Sequence, residues 1–413
     1  MKVLSHISHL TCIRCQREFP PFPFQYTCSC GGNLDYILNY PLIAAKWSRA
    51  ALAQNSERSI WRYAPLLPVA QSPAHRGIQV GGTPLMDAAE LSRKLGTGRI
   101  LIKDDTRNPS GSLKDRASAV ALQHAGELNQ NIVVAASTGN AASSLACLAA
   151  YHRTRALIVA PATAPTAKLV QIRQYGAGLL PVNSSYDDAF DLVLALTEKF
   201  GWYSRNTGVN PVLSEGKKTV ALEIAEQMAW KAPDWVFVPV GDGCIIGGLY
   251  KGFFDLLHLG WIENMPRLVA VQAENSSAIV DALQGGTIVK AVNANTVADS
   301  IAVNLPRDPD KALRAVQKSN GFGITVSDEE ILTAQHELAY STGIFGEPAA
   351  AAAYAGLKTA VARDLLNSSD SVVLLITGSG LKDIQAASKA ITVPPAIDPT
   401  LVAAEKRLSD WIN

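Results

Sequence analysis

The segment IVVAASTGNAASSLACLAAYHRTRALIVAP, residues 132–161, contains the unit that decides the fold. It begins with the apolar run Ile132–Ser137, continues with a helix-like stretch over Ala141–His152 and ends with a second apolar run, Ala156–Pro161. Both runs are apolar throughout and do not alternate, which is typical of strands buried on both faces of a parallel sheet. A strand, a helix and a second strand in this order predict an open α/β sheet.

The same alternation continues over most of the chain. Further apolar runs occupy 235–240, 268–273 and 372–377, and helix-like stretches occupy 117–128, 186–198, 219–230 and 349–366. The predicted fold class is therefore α/β. A length of 413 residues leaves room for two or three domains, each with its own core.

Charge and composition exclude several classes of protein. The chain has 37 Lys and Arg against 36 Asp and Glu, so no excess charge favours nucleic acid or an acidic membrane surface. With 48% hydrophobic and 18% charged residues it does not resemble a disordered chain. It has neither an uninterrupted apolar run of about 18 residues for a membrane span nor the layout of a signal peptide. We expect a soluble, cytoplasmic protein with no nucleic-acid or membrane partner.

Four cysteines cluster near the N-terminus in the pattern C-x2-C, twelve residues, C-x-C-G-G. They are Cys12, Cys15, Cys28 and Cys30. Clustered pairs of this kind in an intracellular chain are typical of metal binding, and glycines after the second pair ease the tight turn that aims two thiolates at one ion. The pattern predicts a zinc-ribbon-like module, with a metal-free module of reduced thiols as the alternative.

Three of the apolar runs end in turns rich in glycine and hydroxyl side chains. The turns contain Ser137, Thr138, Gly139 and Asn140; Gly241, Asp242, Gly243, Cys244 and Ile245; and Thr377, Gly378, Ser379 and Gly380. In open α/β sheets ligands bind beyond the carboxyl ends of the strands, and N–H groups at a helix start can bind an anion. Three such turns together predict a ligand pocket.

The segment KDDTRNPSGSLKDRAS, residues 103–118, supplies a candidate reactive group. Its NPSG sequence is typical of a turn, Ser112 is predicted as a helix cap, and Lys114 then falls in the first turn of the helix. The helix dipole disfavours an ammonium there, which helps a lysine that must lose its proton to act as a nucleophile or base.

These motifs together resemble those of the fold-type II pyridoxal-phosphate enzymes, and within them the threonine synthase family. The resemblance spans about 81–387 and rests on GGTPL (81–85), NPSGSLKDR (108–116), ASTGN (136–140), EGKKT (215–219), PVGDG (239–243), GIFGEPAAAA (343–352) and TGSGLKD (377–383). It implies two open three-layer αβα domains around a central cleft, pyridoxal phosphate as cofactor, and a homodimer.

The resemblance also implies a role for each motif residue. Lys114 would hold the cofactor and shuttle protons, Asn140 would bond its phenolic oxygen, and Thr377 would meet its ring nitrogen. Its phosphate would bind the backbone of Gly241, Asp242, Gly243, Cys244 and Ile245. The substrate carboxylate would bind Ser137, Thr138 and Gly139, and a substrate phosphate would bind Ser110, Ser112 and Arg116. Arg116 has the alternative of pairing with a local carboxylate, and Lys217 and Lys218 are equally open to an anion-facing or a surface role.

The predicted organisation has five parts. They are a cysteine module (1–36), a connector (37–80), a large cofactor domain (81–115 and 180–395), a small α/β domain (116–179) and a C-terminal helix (396–413).

The implied reaction converts O-phospho-L-homoserine and water to L-threonine and phosphate. Some positions depart from the family pattern, among them Asp242 and Ser379, so other reactions stay open. One is β-replacement or β-elimination on O-phosphoserine or a related amino acid, as in cysteate or cysteine synthases, dehydratases and ammonia-lyases. A further alternative, outside the enzymes, is a ligand-binding protein without catalytic activity.

Overall fold

A computed structural model describes residues 4–70, 72, 77–164, 166–286 and 288–412. Small parts of all five predicted segments, namely 1–3, 71 with 73–76, 165, 287 and 413, lie outside the described residues. The described strands are β1 (Ile7–Cys12), β2 (Glu18–Phe19), β3 (Leu34–Leu38), β4 (Leu85–Asp87), β5 (Ile100–Asp104), β6 (Ile132–Ala136), β7 (Arg155–Pro161), β8 (Gly178–Val182), β9 (Tyr203–Ser204), β10 (Trp235–Pro239), β11 (Arg267–Ala273), β12 (Phe322–Val326) and β13 (Val372–Ile376).

Helices connect most of these strands. The described α-helices are α1 (Tyr40–Lys46), α2 (Arg49–Ala53), α3 (Ala89–Leu95), α4 (Lys114–Glu127), α5 (Asn140–His152), α6 (Thr166–Gln174), α7 (Tyr186–Phe200), α8 (Val212–Lys217), α9 (Thr219–Gln227), α10 (Cys244–His258), α11 (Ala278–Gly285), α12 (Pro309–Lys318), α13 (Asp328–Thr342), α14 (Pro348–Ala362), α15 (Ile384–Ala387) and α16 (Leu401–Ile412). Short 3₁₀ turns cover Ile60–Leu66, Asp105–Arg107, Glu274–Ser276, Asp299–Ile301 and Gly380–Lys382.

The largest sheet has six strands in the order β12-β11-β10-β13-β5-β4. All neighbours pair in parallel except β4, which runs antiparallel to β5 at the edge. Its inner strands β10 and β13 are buried along their whole length, as their uninterrupted apolar sequences predict. The predicted α/β fold class is confirmed.

A second parallel sheet has four strands in the order β8-β7-β6-β9. It contains the β6–α5–β7 unit quoted above, with β7 in register beside β6 from Ile132↔Arg155 onward. Its last strand, β9, reaches residue 204, further along the chain than the small domain predicted over 116–179. The domain boundaries stay a prediction.

The N-terminal segment forms a separate antiparallel sheet in the order β2-β1-β3. Its apolar side chains, such as Leu10, Leu34 and Tyr36, are buried in the same hydrophobic core cluster as residues of both larger sheets. The cysteine module is therefore packed onto the body of the protein. Within the described ranges, every helix is too short or too polar to cross a bilayer.

Candidate active site

A cavity of about 390 Å³ opens where β6, β10 and β13 end. This size is in the range of small-molecule sites. Eleven residues predicted from the sequence line it: Lys114, Ser137, Thr138, Gly139, Asn140, Gly241, Asp242, Gly243, Cys244, Ile245 and Thr377. The structure thus brings the lysine and all three glycine-rich turns together.

Lys114 is the first residue of α4 and is attached to the large sheet by its neighbours. The N–H of Leu113 donates to the carbonyl of Thr377 at 2.8 Å, and Ser112 forms an antiparallel bridge with Gly378. These bonds fix the start of α4 against the end of β13. The predicted cap is wrong, however, because α4 begins after Leu113 without a side-chain cap bond.

Two further cations lie around Lys114. Burial, followed by the charge of Lys217, lowers the pKa of Lys114 to about 8. Burial also lowers the pKa of Lys217, and it lowers the pKa of Arg205 to about 10. Among the described residues, the Nζ of Lys217 and one terminal nitrogen of Arg205 are buried without a hydrogen-bond partner. Unpaired buried cations are costly, so this arrangement is suited to an anion.

The glycine loop Gly241–Gly243 leads directly into the 15-residue helix α10. Gly243 has φ +93°, and a Cβ there would lie 2.6 Å from the carbonyl oxygen of Asp308. The position therefore requires glycine, and its tight turn presents free N–H groups at a helix start, where anions bind.

Asp242 in this loop is turned toward the residues before α12. Its Oδ1 accepts a hydrogen bond from the N–H of Arg307 at 3.1 Å, and its carbonyl accepts one from Asp308 at 2.9 Å. Burial raises the pKa of the Asp242 carboxyl. An acidic residue is thus compatible with an anion-binding loop, because its side chain has its own partner and its charged form is disfavoured.

Asn140 and Glu347 connect the small sheet to the large one across the cavity. The Asn140 Nδ2 donates to both carboxylate oxygens of Glu347, at 2.8 and 3.0 Å, and approaches the Ser300 hydroxyl at 3.3 Å. Burial raises the pKa of Glu347, and the bond from Asn140 opposes that shift. Glu347 therefore orients the amide that the sequence predicts to face the cofactor.

Arg116 does not reach the cavity, which corrects its predicted role at a substrate phosphate. Its guanidinium is fully buried and bonds the carboxylates of Asp105 and Glu223, at 2.7 and 2.6 Å for the shortest contacts. Thr83 and Thr219 accept further bonds at 3.0 and 3.1 Å. All its donors face protein groups, and the alternative of a carboxylate partner is the correct one.

Ser110 and Ser112 also lie outside the cavity lining. The Ser110 hydroxyl and N–H both donate to the Asp115 carboxylate at 2.6 Å, so this serine closes the turn before α4. The Ser112 hydroxyl is buried without a partner among the described residues. Lys218, left open above, is buried and paired with Glu215 and Asp255.

A small cavity of about 20 Å³ adjoins the main one. It shares Asn140 and Glu347 with the main cavity and adds two lysines, Lys168 and Lys382. The Lys382 Nζ donates to the Ser143 hydroxyl at 3.1 Å, and burial lowers the pKa of this lysine. The Lys382 ammonium therefore lies beside the amide of Asn140, in a lining that also contains the carboxylates of Glu347 and Asp383, while Lys168 is paired with Asp299.

The donor set of the main cavity fits pyridoxal phosphate. The Lys217 ammonium, which lines the cavity without a hydrogen-bond partner among the described residues, and the start of α10 suit a phosphate, and Lys114 has an amine that loses its proton readily enough to react with an aldehyde. Sequence reasoning missed Arg205, Glu347 and Lys382. Glu347 and Lys382 lie inside quoted motifs, which was a signal, whereas nothing in the sequence around Arg205 indicated a role.

The four N-terminal cysteines form a second candidate site. Their sulfur atoms all lie within 4.8 Å of one another, in a grouping suited to one metal ion.

Comparison with known proteins agrees with a pyridoxal-phosphate site in the main cavity. A family model described as "Pyridoxal-phosphate dependent enzyme" matches residues 78–378. A threonine synthase of Methanocaldococcus jannaschii is 37% identical over 94% of this chain and 96% of the relative. One of Methanosarcina acetivorans is 37% identical over 97% of this chain and 98% of the relative. Among solved structures, threonine deaminase isoform 2 of Solanum lycopersicum superposes with a TM-score of 0.65 and 25% identity, covering 75% of this chain and 86% of that one.

Proposed function

The chain belongs to the pyridoxal-phosphate dependent enzymes, and on that premise we propose that it is a threonine synthase. The proposed reaction converts O-phospho-L-homoserine and water to L-threonine and phosphate. The observation that carries the proposal is the likeness to threonine synthases over nearly the whole length of both chains, at 37% identity.

The proposed cofactor contacts use the groups that line the main cavity. Lys114 would hold pyridoxal phosphate through its Nζ, and the Asn140 amide, kept in place by Glu347, would donate to the phenolic oxygen. The Thr377 hydroxyl would meet the ring nitrogen. The phosphate would accept bonds from the backbone N–H groups of Gly241–Ile245, and the charge of Lys217 supports this assignment because its ammonium has no other partner among the described residues.

When bound, pyridoxal phosphate supplies an electron sink for bonds broken next to the substrate's amino group. The proton transfers would fall to Lys114, whose amine would take the α proton and then a β proton of the substrate. A pKa of about 8 supports this role, because about a tenth of the amine is then neutral at pH 7, far more than for an ordinary lysine. Phosphate would leave from the γ carbon and water would add at the β carbon.

The substrate's two anionic groups need separate subsites. The start of α5, with Ser137, Thr138 and Gly139 before it, would bind the carboxylate through hydroxyl and backbone donors. We assign the substrate phosphate to the side of the main cavity that faces Lys382 and Ser143, in place of Arg116. A γ-phosphate extends one carbon further from the cofactor than a β-phosphate, so this subsite is where the two substrate classes would differ.

A second candidate function keeps the cofactor and changes the reaction to β-elimination or β-replacement. The fold similarity to a threonine deaminase, at 25% identity, favours this alternative. O-phospho-L-serine is its test substrate.

The experiment is phosphate release from O-phospho-L-homoserine and, in parallel, from O-phospho-L-serine. We expect release from the homoserine compound with threonine formed in equal amount, and none with Lys114→Ala. Lys382→Met should raise the KM for the homoserine compound roughly tenfold or more, since a charged hydrogen bond is lost. Lys389→Met removes an exposed lysine outside both cavities and is the matched control.

Each alternative predicts a different result in this phosphate-release experiment. Release from O-phospho-L-serine alone would replace the proposal with the β-elimination or β-replacement reading. An unchanged KM in Lys382→Met, with threonine still formed, would remove only the assignment of the phosphate subsite. The homodimer implied by the family resemblance stays a prediction, which sedimentation velocity would test.

A further inference from the structure

The four N-terminal thiols converge on one point. The Sγ atoms of Cys12 and Cys30 lie 3.5 Å apart and those of Cys15 and Cys28 lie 3.6 Å apart, and all four lie within 4.8 Å of one another. Zinc bound to four thiolates at about 2.3 Å separates neighbouring sulfurs by about 3.8 Å in a tetrahedron. In two disulfides, the two sulfurs of each pair would instead lie about 2.05 Å apart. The two pairs would also have no reason to meet at one point.

The surrounding backbone is built around these sulfurs. The N–H of Cys15 points at the Sγ of Cys12 at 3.5 Å, which closes the first turn around its thiol. The N–H of Cys28 donates to the carbonyl of Gly32 at 3.0 Å, which closes the second turn. A Cβ on Gly32 would lie 2.6 Å from the Cys12 sulfur, so only glycine leaves space for the cluster.

We propose that these cysteines hold one structural Zn²⁺ ion, and that the metal-bound module holds the cofactor-phosphate loop in its binding conformation. The proposal goes beyond the reaction assigned above. It depends on cofactor binding and not on which amino acid is the substrate.

The first step of the connection leads from the cysteine turns to the start of α12. Arg14, between the first two cysteines, pairs with Asp310 at 2.9 Å. Asn33, three residues after Cys30, donates to the carbonyl of Arg307 at 3.0 Å and to the carboxylate of Asp308 at 2.5 Å. The two turns that would bind the metal therefore both hold residues 307–310.

The second step leads from residues 307–310 to the glycine loop. The N–H groups of Arg307 and Asp308 donate to the side chain and the carbonyl of Asp242, at 3.1 and 2.9 Å. The carbonyl of Asp308 lies directly over Gly243, where a Cβ would be 2.6 Å from its oxygen. A shift of Asp308 therefore changes the loop whose N–H groups would bind the phosphate.

The first experiment measures metal in the protein purified under reducing conditions. We expect close to one zinc per chain by elemental analysis. Cys15→Ser and Cys30→Ser replace exposed thiols and should lose it, whereas Ser29→Ala, between two of the cysteines, should keep it. A wild-type protein that holds no zinc, and takes up none from Zn²⁺ added under anaerobic reducing conditions, would overturn the proposal. Iron in its place would overturn the assignment of zinc.

The second experiment measures the Kd of pyridoxal phosphate for protein freed of cofactor, without any substrate. We expect Asn33→Ala to keep its zinc and bind the cofactor roughly tenfold more weakly, because it loses a hydrogen bond to a charged group. Chelation of zinc from the wild-type protein should weaken binding similarly, and added Zn²⁺ should restore it. Ser29→Ala should match the wild type.

An unchanged cofactor Kd in Asn33→Ala and in the chelated protein would overturn the connection to the phosphate loop. If the cysteine variants fail to fold, chelation of zinc from the wild-type protein still tests the proposal. Since zinc content and cofactor Kd involve no amino-acid substrate, a failure of the threonine synthase assignment leaves both measurements valid.

Discussion

At the scale of single residues, the proton of Lys114 is controlled by its neighbours. Burial is the larger cause of its lowered pKa, and the charge of Lys217 is the next. Lys217 itself is buried, with its pKa lowered and no partner among the described residues. One lysine thus has two effects in the cofactor-free protein: it offers a charge to an anion, and it keeps the other lysine closer to its neutral form.

This coupling predicts a pH shift in the reaction of apoprotein with an aldehyde. We expect the rate of capture of pyridoxal by Lys114 to rise with pH through a midpoint near 8, where about half of the amine is neutral. Lys217→Met removes a like charge, so it should raise the pKa of Lys114 and move the midpoint upward. Visible absorbance of the bound aldehyde follows the reaction.

Pyridoxal has no phosphate for residue 217 to bind. The loss of that contact in Lys217→Met therefore does not affect the comparison of its midpoint with that of the wild type. Lys217→Arg keeps the charge and should keep the midpoint of the wild type. A midpoint that stays the same in Lys217→Met would mean that burial alone sets the pKa of Lys114.

The residues that the sequence identified are those whose position follows from one strand or one turn. Lys114, Asn140 and Thr377 each follow a recognisable local pattern and do line the cavity. Arg116 was misassigned because a guanidinium suits a phosphate and a carboxylate equally well. Its partner Glu223 lies 107 residues further along the chain, at a distance that local reading cannot bridge.

At the scale of elements, helix α10 and the loop before it are the feature on which the proposed cofactor binding depends. The apolar strand β10 places the loop at the sheet edge, and the following helix directs its N–H groups toward the cavity. Both elements were predictable, because a buried strand followed by glycines is a local pattern. Helix α8 was not, since the six-residue VLSEGK has no helical periodicity of its own, whereas α9 falls within the helix-like stretch predicted over 219–230.

Gly243→Ala tests this element. The residue has φ +93° and no space for a Cβ, so the loop must move away from Asp308. We expect a loss of about 1–3 kcal/mol in the free energy of unfolding and at least roughly tenfold weaker binding of pyridoxal phosphate. Denaturant unfolding and cofactor titration measure the two effects.

Gly260→Ala is the matched control for that substitution. Gly260 also has a positive φ, +65°, but a Cβ at this position would have no atom within 4 Å. The substitution should cost about 1 kcal/mol of stability through backbone strain and leave the cofactor Kd unchanged. Equal effects of both variants on the cofactor Kd would mean that the contact with Asp308 does not shape the loop.

At the scale of the whole molecule, the N-terminal module is joined to the body by buried charges. Asp35 on β3 pairs with Lys311 at 2.9 Å and with Arg314, both on α12. The sequence predicted the module from its cysteines, but not where it docks. Docking depends on the pairing of a β3 carboxylate with cations almost 280 residues away, and neither partner is distinctive in its own segment.

This interface predicts a stability effect with a defined pH dependence. Burial alone would raise the pKa of Asp35, but the charges of Arg314 and Lys311 outweigh it and hold that pKa well below its usual range. Asp35→Asn leaves two cations without their carboxylate, so we expect a loss of about 3 kcal/mol in the free energy of unfolding at pH 7. Glu90→Gln, in an exposed pair with Arg93 that solvent screens, should change the free energy of unfolding far less than Asp35→Asn.

The sign of the pH effect follows from the lowered pKa. A carboxyl whose pKa is depressed by folding stabilises the protein above its unfolded pKa, about 4, and this contribution is lost as the pH falls toward the folded value. The difference between wild type and Asp35→Asn should therefore be constant from pH 7 to about 4 and shrink below that. Urea unfolding of both proteins across this range measures it. A difference that grows toward low pH would mean that Asp35 is not held ionised by α12, and that the module docks through its apolar face alone.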